Sequence, residues 1–289
     1  MEEIVIIGCG PAGLACSIYL AQNGKKSLIL EKRSELVGKV CGDGLSVKCI
    51  KEFEKINIST LDLINAGGAE ITRKYDIRDY GIQEIIYDYS CVGLSRDKME
   101  KLLYDKTISL GSKVIFGYEV IDVKKFDNYY LINGEIRAKE VVLAHGITSK
   151  LNKVKVNDLP LGISARVYGT SDILKNDAFY FKYNQKYGNG YAWVFPIGKD
   201  FWNIGVWNSD KKENMKEIYQ EFEKALFDEY INFISYDRSP GGALIGATLM
   251  PFTPTDKTIG DALLLASYTS GEGITYAISS GIEMAKKLI

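Results

Sequence analysis

Six residues near the N-terminus, Gly8-Cys9-Gly10-Pro11-Ala12-Gly13, constrain the fold of this chain more than any other feature. They follow Glu-Ile-Val-Ile-Ile at 3–7, a β-branched run expected of a strand buried on both faces of a parallel sheet. They open a segment from Pro11 to Asn23 whose apolar residues Leu14, Ile18 and Ala21 fall at helical spacing, with Asn23-Gly24 as a stop signal. Lys26 to Glu31 then reads as a second strand, so the unit is β-α-β with a right-handed crossover. Gly8 permits the tight turn, Gly10 lets the backbone approach a pyrophosphate, and Gly13 lets helix and strand pack closely. The helix N-terminus at Pro11 and Ala12 offers free N–H groups to an anion. Glu31, 18 residues beyond Gly13, stands where a carboxylate would accept hydrogen bonds from the hydroxyls of an adenosine ribose. The constellation implies a bound dinucleotide.

Composition narrows the partners. At 289 residues, 46% hydrophobic and 25% charged, the chain can bury a core for one large domain or two joined ones. Thirty-six basic against 37 acidic residues give a net charge of -1, which argues against nucleic acid as a partner. Five cysteines without C-x-x-C spacing and a single histidine, His145, point to no metal site and no disulfide framework, as in a cytoplasmic protein. The apolar run at 4–7 is too short for a signal segment and that at 262–266 too short for a membrane span, which leaves only peripheral contact with a bilayer. One histidine also removes most triads and histidine metal centres, so the chemistry is expected to belong to a cofactor.

Along the chain, 38–44 reads as a glycine-rich loop, Ser46 to about Ile56 and Arg96 to Leu103 as helices, and Glu84 to Asp88 as a strand-like patch. Lys113 to Phe116, Glu119 to Lys124 and Tyr129 to Ile132 read as short strands leading to a buried one at Glu140 to Ala144. From about 160 the texture becomes aromatic and alternating, at Leu161 to Tyr168, Ala178 to Tyr183, Tyr191 to Phe195 and Phe201 to Trp207, with a helix from about Lys212 to Tyr230. Ala262 to Ala266 reads as a strand and Gly273 to Leu288 as a final helix. The expected fold is α/β. A Rossmann-like domain from 1–150 and 250–289 holds the dinucleotide on a parallel sheet, with a mainly antiparallel substrate sheet inserted at 151–249. Residues 60–95 are expected to contribute to that second sheet.

Gly260-Asp261-Ala262, followed by Gly271-Glu272-Gly273-Ile274 and a helix, is a pattern that a simple nicotinamide dehydrogenase does not need. With the N-terminal unit it resembles the FAD-dependent family of p-hydroxybenzoate-type monooxygenases, flavin halogenases and geranylgeranyl reductases. Three stretches look most like the geranylgeranyl reductases: Lys39-Val40-Cys41-Gly42-Asp43-Gly44 (their K-x-C-G-G), Tyr191-Ala192-Trp193-Val194-Phe195-Pro196 (Y-x-W-x-F-P), and Gly271 to Gly281 (G-x-G-I-x-x-A-x-x-S-G). The resemblance implies that Asp261 binds the ribityl or pyrophosphate region and that Gly271, Gly273 and Ile274 lie against the isoalloxazine. It implies that Arg96 opens a helix contacting FAD, and adds Lys32, Cys41, Gly42, Val120, Ala144 and Gly146 to the cofactor's surroundings. It places Tyr191, Trp193 and Phe195 on the pocket facing the flavin; as alternate residues of one strand they share a face. A helix N-terminus at Gly273 would favour the negative charge that a flavin gains on reduction.

Two departures stand out. Relatives carry Ala-Asp-Gly where this chain has Ala144-His145-Gly146, so NADPH handling is expected to differ; a lone histidine is most often a satisfied structural side chain. Relatives also continue past the last flavin helix into a region that closes a long lipid cavity, whereas this sequence ends at Ile289, which makes a long isoprenoid a less secure expectation. Cys41 and Cys49 lack the spacing of a redox pair, and Gly241 to Gly246 is no second dinucleotide fingerprint. Cys41 reads either as a buried small hydrophobe or as a single thiol beside the flavin, and Trp202 and Trp207 read as sheet core. The resulting expectation is an FAD-dependent reductase that transfers hydride to a C=C bond of a prenyl or other apolar substrate, with Cys41 and Tyr191 as candidate proton donors or positioners and water an equal candidate donor. NAD(P)H or a small redox protein such as ferredoxin would supply electrons. The alternatives are oxygen-activating hydroxylation or halogenation, and a flavin redox carrier.

Overall fold

The computed structural model describes residues 1–151, 159–208, 214–248, 257–267 and 269–289. Along the chain the elements are β1 (Glu2–Ile7), α1 (Pro11–Gln22), β2 (Leu28–Leu30), β3 (Gly44–Leu45), α2 (Val47–Glu54), α3 (Thr60–Asn65), β4 (Ala69–Arg78), β5 (Gly81–Gly93) and α4 (Arg96–Ser109). There follow β6 (Lys113–Ile115), β7 (Val123–Lys125), β8 (Tyr130–Ile132), β9 (Ile136–Leu143), β10 (Leu161–Thr170), β11 (Ala178–Lys182), β12 (Tyr191–Gly198) and β13 (Phe201–Asn208). The chain closes with α5 (Met215–Glu229), β14 (Asn232–Leu244), β15 (Ala247–Thr248), β16 (Ala266–Ser267) and α6 (Ile274–Leu288).

The first sheet has the order β6-β2-β1-β9-β8-β7. β1 pairs in parallel with both β2 and β9, and β6 extends the parallel set. Helices α1 and α6 lie side by side over one face of this sheet, burying Leu14, Ile18, Ile278 and Ile282 against Ile4, Ile6 and Val142. Their approach depends on Gly281, where a Cβ would stand 2.3 Å from the Ala12 carbonyl oxygen. The opposite face buries Val5, Ile7, Leu28 and Leu30 with Val120, Ile132 and Val141, so the apolar β1 run is covered on both sides.

The second sheet runs β14-β10-β13-β12-β11-β4-β5-β3. It is antiparallel except where β4 joins β11 in parallel. Residues 69–93 thus share one sheet with strands from 161–244, joined to them where β4 pairs with β11. One face buries Trp202, Ile204 and Val206 against Met215, Tyr219, Phe222 and Leu226 of α5, whose helical spacing makes one apolar stripe worth about 2 kcal/mol per side chain. The other face carries Ile71, Phe179, Trp193, Phe195 and Trp207. Among the described residues no helix is long and apolar enough to cross a membrane.

Several local expectations change. Ala262 to Ala266 is not a strand: Gly260–Leu263 forms a 3-10 turn, and only Ala266–Ser267 is extended. The chain turns there because Gly260 and Leu264 take left-handed backbone angles and the Gly260 N–H is held by Ser280 Oγ at 3.0 Å. The reading of Glu119 to Lys124 shrinks to Val123–Lys125, since the Asn133 side chain accepts from the backbone N–H groups of Ile121 and Asp122. β4 and β14 were not legible. β14 carries Pro240-Gly241-Gly242, which reads as a turn, yet pairs with β10 through a ladder interrupted by bulges. Lys212, at the expected start of the α5 helix, and the expected boundary at 250 lie outside the described residues.

Candidate active site

A cavity of about 640 Å³ opens between the two sheets, within the size range of cofactor and small-molecule sites. Its floor is the carboxyl end of the first sheet. Gly8, Gly10, Pro11, Ala12, Glu31, Lys32, Ala144 and Gly146 line it there, Cys41, Gly42 and Arg96 line its side, and Asp261, Gly271, Gly273 and Ile274 close its far end. Trp193, Gly162, Ser164 and the run Gly242 to Gly246 form the wall contributed by the second sheet.

The glycines differ in what they permit. At Gly8 (φ +109°) a Cβ would meet the Ala144 carbonyl oxygen at 2.4 Å, and at Gly13 it would meet the Gly8 oxygen at 2.2 Å. Gly13 thus lies behind the loop and not on the cavity wall. At Gly10 a Cβ would touch no protein atom; the space it leaves open is the cavity itself. The N-termini of α1 and α6 meet at this cavity, each with a glycine at the N-cap, no side-chain cap and no acidic residue in its first turn. Their N–H groups are left for a ligand with negative charge.

Glu31 is buried at the end of β2. One carboxylate oxygen accepts from the Cys9 N–H at 2.8 Å and the other from the Arg33 N–H and Nε at 3.0 and 2.8 Å. Burial pushes its pKa up, but these hydrogen bonds and the Arg33 charge outweigh it and hold the carboxyl below its ordinary value. Arg96 bonds Glu100 Oε1 at 2.7 Å, and its charged form is favoured by that partner against the cost of burial. Glu100 Oε2 is buried on the same cavity without a hydrogen-bond partner, 3.7 Å from the Arg33 guanidinium, an acceptor that a ligand hydroxyl would satisfy. Lys39 lies 3.6 Å from Asp261 across the cavity mouth. On the far loop Glu272 accepts from Ser46 Oγ at 2.6 Å and from Thr275, tying the Gly271–Gly273 turn to the start of α2.

The structure separates the residues expected at the pocket. Of the aromatic triplet only Trp193 lines the cavity. Tyr191 and Phe195 share its strand face but lie beside the cavity: the Tyr191 hydroxyl donates to the Ser270 carbonyl at 2.6 Å, and Phe195 packs on Phe179. The reason is that residues two apart on a strand share a face but are displaced along it, so they need not meet the same cavity. Val120 faces a smaller recess shared with Lys32 and His145. His145 Nδ1 lies 3.0 Å from the Gly146 carbonyl. Burial lowers its pKa against that hydrogen bond, with the Lys32 charge adding to the drop, so the ring is neutral. Trp202 is core and donates to the Gly169 carbonyl at 2.8 Å. All five cysteines are free, and Cys41 is the one on the cavity.

Sequence reasoning missed Arg33, Glu100, Gly162, Ser164 and the Gly242–Gly246 wall. Consecutive glycines at the end of a strand mark a close approach and were the available signal for the last of these.

This arrangement, a glycine-turn cradle with an acidic partner and a second uncapped helix beside it, opening toward an aromatic sheet, defines an FAD-dependent oxidoreductase. Residues 2–180 match the family model described as pyridine nucleotide-disulphide oxidoreductase, and the chain belongs to that family. Within it the chain is geranylgeranyl reductase-like. It is 27% identical to digeranylgeranylglycerophospholipid reductase of Methanocaldococcus jannaschii over 99% of this chain and 77% of that protein. It is 28% identical to the enzyme of the same name from Thermoplasma volcanium over 98% of this chain and 77% of that one. Among solved structures it resembles a geranylgeranyl bacteriochlorophyll reductase-like protein from Thermoplasma acidophilum (TM-score 0.77, 24% identity, 99% of this chain and 77% of that one). A flavin-dependent brominase shares the fold at TM-score 0.75 and 18% identity, covering 99% of this chain and 79% of its own.

Proposed function

We propose that this protein reduces carbon–carbon double bonds in the prenyl chains of an apolar lipid, using FAD held in the cavity between the two sheets. The observation that carries the reading is that one cavity is lined both by the dinucleotide cradle and by Trp193 of the second sheet. The names of the relatives supply the substrate class. Bound and reduced, FAD supplies a hydride equivalent. The residues of this chain do the rest. Gly10 and the α1 N-terminus receive the pyrophosphate, Glu31 the adenosine ribose, and Asp261 with Arg96 the region beyond it. Gly271, Gly273 and Ile274 bear on the ring system, where the α6 N-terminus favours the charge gained on reduction.

Trp193 gives the apolar chain a flat surface. The second carbon of the double bond needs a proton, which we assign to the Cys41 thiol on the cavity wall, the thiolate regaining its proton from water. Burial, with the Asp43 charge adding, raises its pKa above the ordinary thiol value against the opposing charge of Arg96, so at neutral pH it is protonated. Tyr191, whose hydroxyl is engaged by Ser270, is not assigned this role. We assign residues 1–150 and 250–289 to the cofactor and 151–249, with strands from 60–95, to the substrate. Electrons enter from NAD(P)H bound transiently or from a small redox protein such as ferredoxin, and the work is assigned to the cytoplasm, at the surface of the membrane that holds the lipid.

The test is anaerobic reduction of the FAD-loaded protein by NADH, NADPH and reduced ferredoxin in parallel, followed by a prenylated glycerolipid acceptor. The expected result is reoxidation of the flavin with a gain of two hydrogens per double bond in the lipid. Reoxidation by air that yields an oxygenated or halogenated product, with no saturation of the lipid, would overturn the reading in favour of a monooxygenase or halogenase. A flavin that cycles while no acceptor changes its spectrum would mark a redox carrier.

A further inference from the structure

The Cys41 loop and the Trp193 wall come from parts of the chain more than a hundred residues apart, yet one buried side chain joins them. Asn203, the third residue of β13 and 1% exposed, uses its whole amide. Its Oδ1 accepts from Trp193 Nε1 at 2.7 Å, and its Nδ2 donates to the Cys41 carbonyl at 2.7 Å and to Asp43 Oδ2 at 2.8 Å. Indole nitrogen is a donor only, so the amide has one orientation that satisfies all three bonds. We propose that Asn203 is the positioning residue of this site, holding the Trp193 indole and the Cys41-bearing loop as one rigid unit facing the cavity.

Other contacts fit that role. The indole is packed between Gly205, where a Cβ would fall 2.3 Å from it, and Gly42 of the loop, where a Cβ would sit at 3.5 Å. It has no room to turn on the sheet side, and on the loop side its freedom depends on where Gly42 is held. Asp43 takes a left-handed backbone angle, φ +59°, a conformation that costs free energy in a residue with a Cβ. That conformation is held from both sides: the Arg96 N–H bonds Oδ1 at 2.8 Å, and Asn203 holds Oδ2. The Arg166 guanidinium lies 3.9 Å from the same carboxylate while also engaging Asp97 and Asp237, and Ser164 Oγ adds a second bond to the Cys41 carbonyl at 3.1 Å. Removing the amide therefore leaves the indole donor, the Cys41 carbonyl and the Asp43 carboxylate each one hydrogen bond short at once.

The inference rests on the reading of this cavity as the flavin and substrate site, but its test needs no turnover. The FAD-loaded full chain is treated with a water-soluble disulfide reagent, and modification of Cys41 is followed by mass spectrometry of its peptide. Three proteins are compared with wild type: Asn203→Leu, which removes the amide, Trp193→Phe, which keeps a ring over Gly42 but removes the indole donor, and the double variant. Trp193→Phe, which loses one of these buried hydrogen bonds, is expected to speed Cys41 modification about tenfold, Asn203→Leu, which loses all three, at least as much, and the double variant to be no faster than Asn203→Leu. A tryptophan that only fills space over Gly42 would act independently of Asn203, and the effects of the two changes would multiply. Rates within about twofold of wild type in Trp193→Phe, or effects of the two changes that multiply, would overturn the proposal. If Asn203→Leu does not fold, Trp193→Phe decides alone by the same criterion. Failure to reduce a prenyl lipid would sink the functional reading and leave this result standing.

Discussion

The two walls of the cavity are built by opposite means. On the first sheet the wall is mainly backbone: Gly8 and Gly10 leave helix N–H groups and a bare turn facing the cavity, with Gly13 packed directly behind them. On the second sheet the wall is side chain: the Trp193 indole rests on a buried polar network of Asn203, Asp43, Ser164 and Arg166. A backbone wall fails when an atom is added, because the carbonyls behind it cannot move. A side-chain wall fails when a hydrogen bond or charge is removed, because the partner is left buried and unpaired. The reach of each wall in sequence differs in the same way, a handful of consecutive residues against contacts spanning residues 41 to 203.

The sharpest way to break this contrast is Gly13→Ala. Its Cβ would fall 2.2 Å from the Gly8 carbonyl oxygen, and the protein is expected to lose about 3 kcal/mol or more of stability in a urea titration. A loss below about 1 kcal/mol would mean the turn can yield and the backbone wall is not rigid.

A change of similar size is expected on the other wall, read through pH. Burial raises the Asp43 pKa from 3.8 to about 6 despite Arg166, Asn203 and Arg96. The folded state therefore binds this proton more tightly than the unfolded one, and the contribution to stability present below pH 4 is lost as pH rises through about 6. Asp43→Asn should abolish a fall of roughly 3 kcal/mol between those limits, measured by denaturant titration at a series of pH values. An unchanged slope would show that the carboxylate does not titrate there.

Glu31→Gln tests the one side chain on which the cradle depends. It keeps the shape and removes the charge that receives Cys9 and Arg33, so FAD affinity should drop by about 1–3 kcal/mol in a fluorescence titration. The smallest effect is the most discriminating. Gly10→Ala should leave the urea midpoint where it is, since its Cβ meets no protein atom, while weakening FAD about tenfold or more. Loss of both stability and affinity would show that Gly10 serves the turn and not the ligand.

What was legible in the sequence follows the same division. The cradle could be read because every constraint on it is local: glycines at fixed spacing between a β-branched run and a helical one, with an acid at the end of the next strand. The three motifs that resemble geranylgeranyl reductases named Cys41, Gly271 and Trp193, and the wider family resemblance named Arg96 and Asp261, all of which line the cavity. The motif could not say that Trp193 alone of its triplet would face that cavity, because strand alternation fixes a face and not a position along it. Asn203 carries no local signal at all. It sits between Trp202 and Ile204 in a strand whose alternation reads as core, and its three partners are 2.7–2.8 Å away only after β12, β13 and the Cys41 loop have come together. β14 was hidden by Pro240-Gly241-Gly242, a turn signal overridden by pairing with β10.

The sequence alone determined that this chain binds a dinucleotide in a β-α-β cradle, since backbone conformation at a glycine turn and the exposure of helix N–H groups depend on neighbours a few residues away. Only the tertiary structure decided what faces the cofactor. The second wall is made of single residues from distant strands, and burying their polar groups becomes tolerable only when each finds its partner across the assembled sheets.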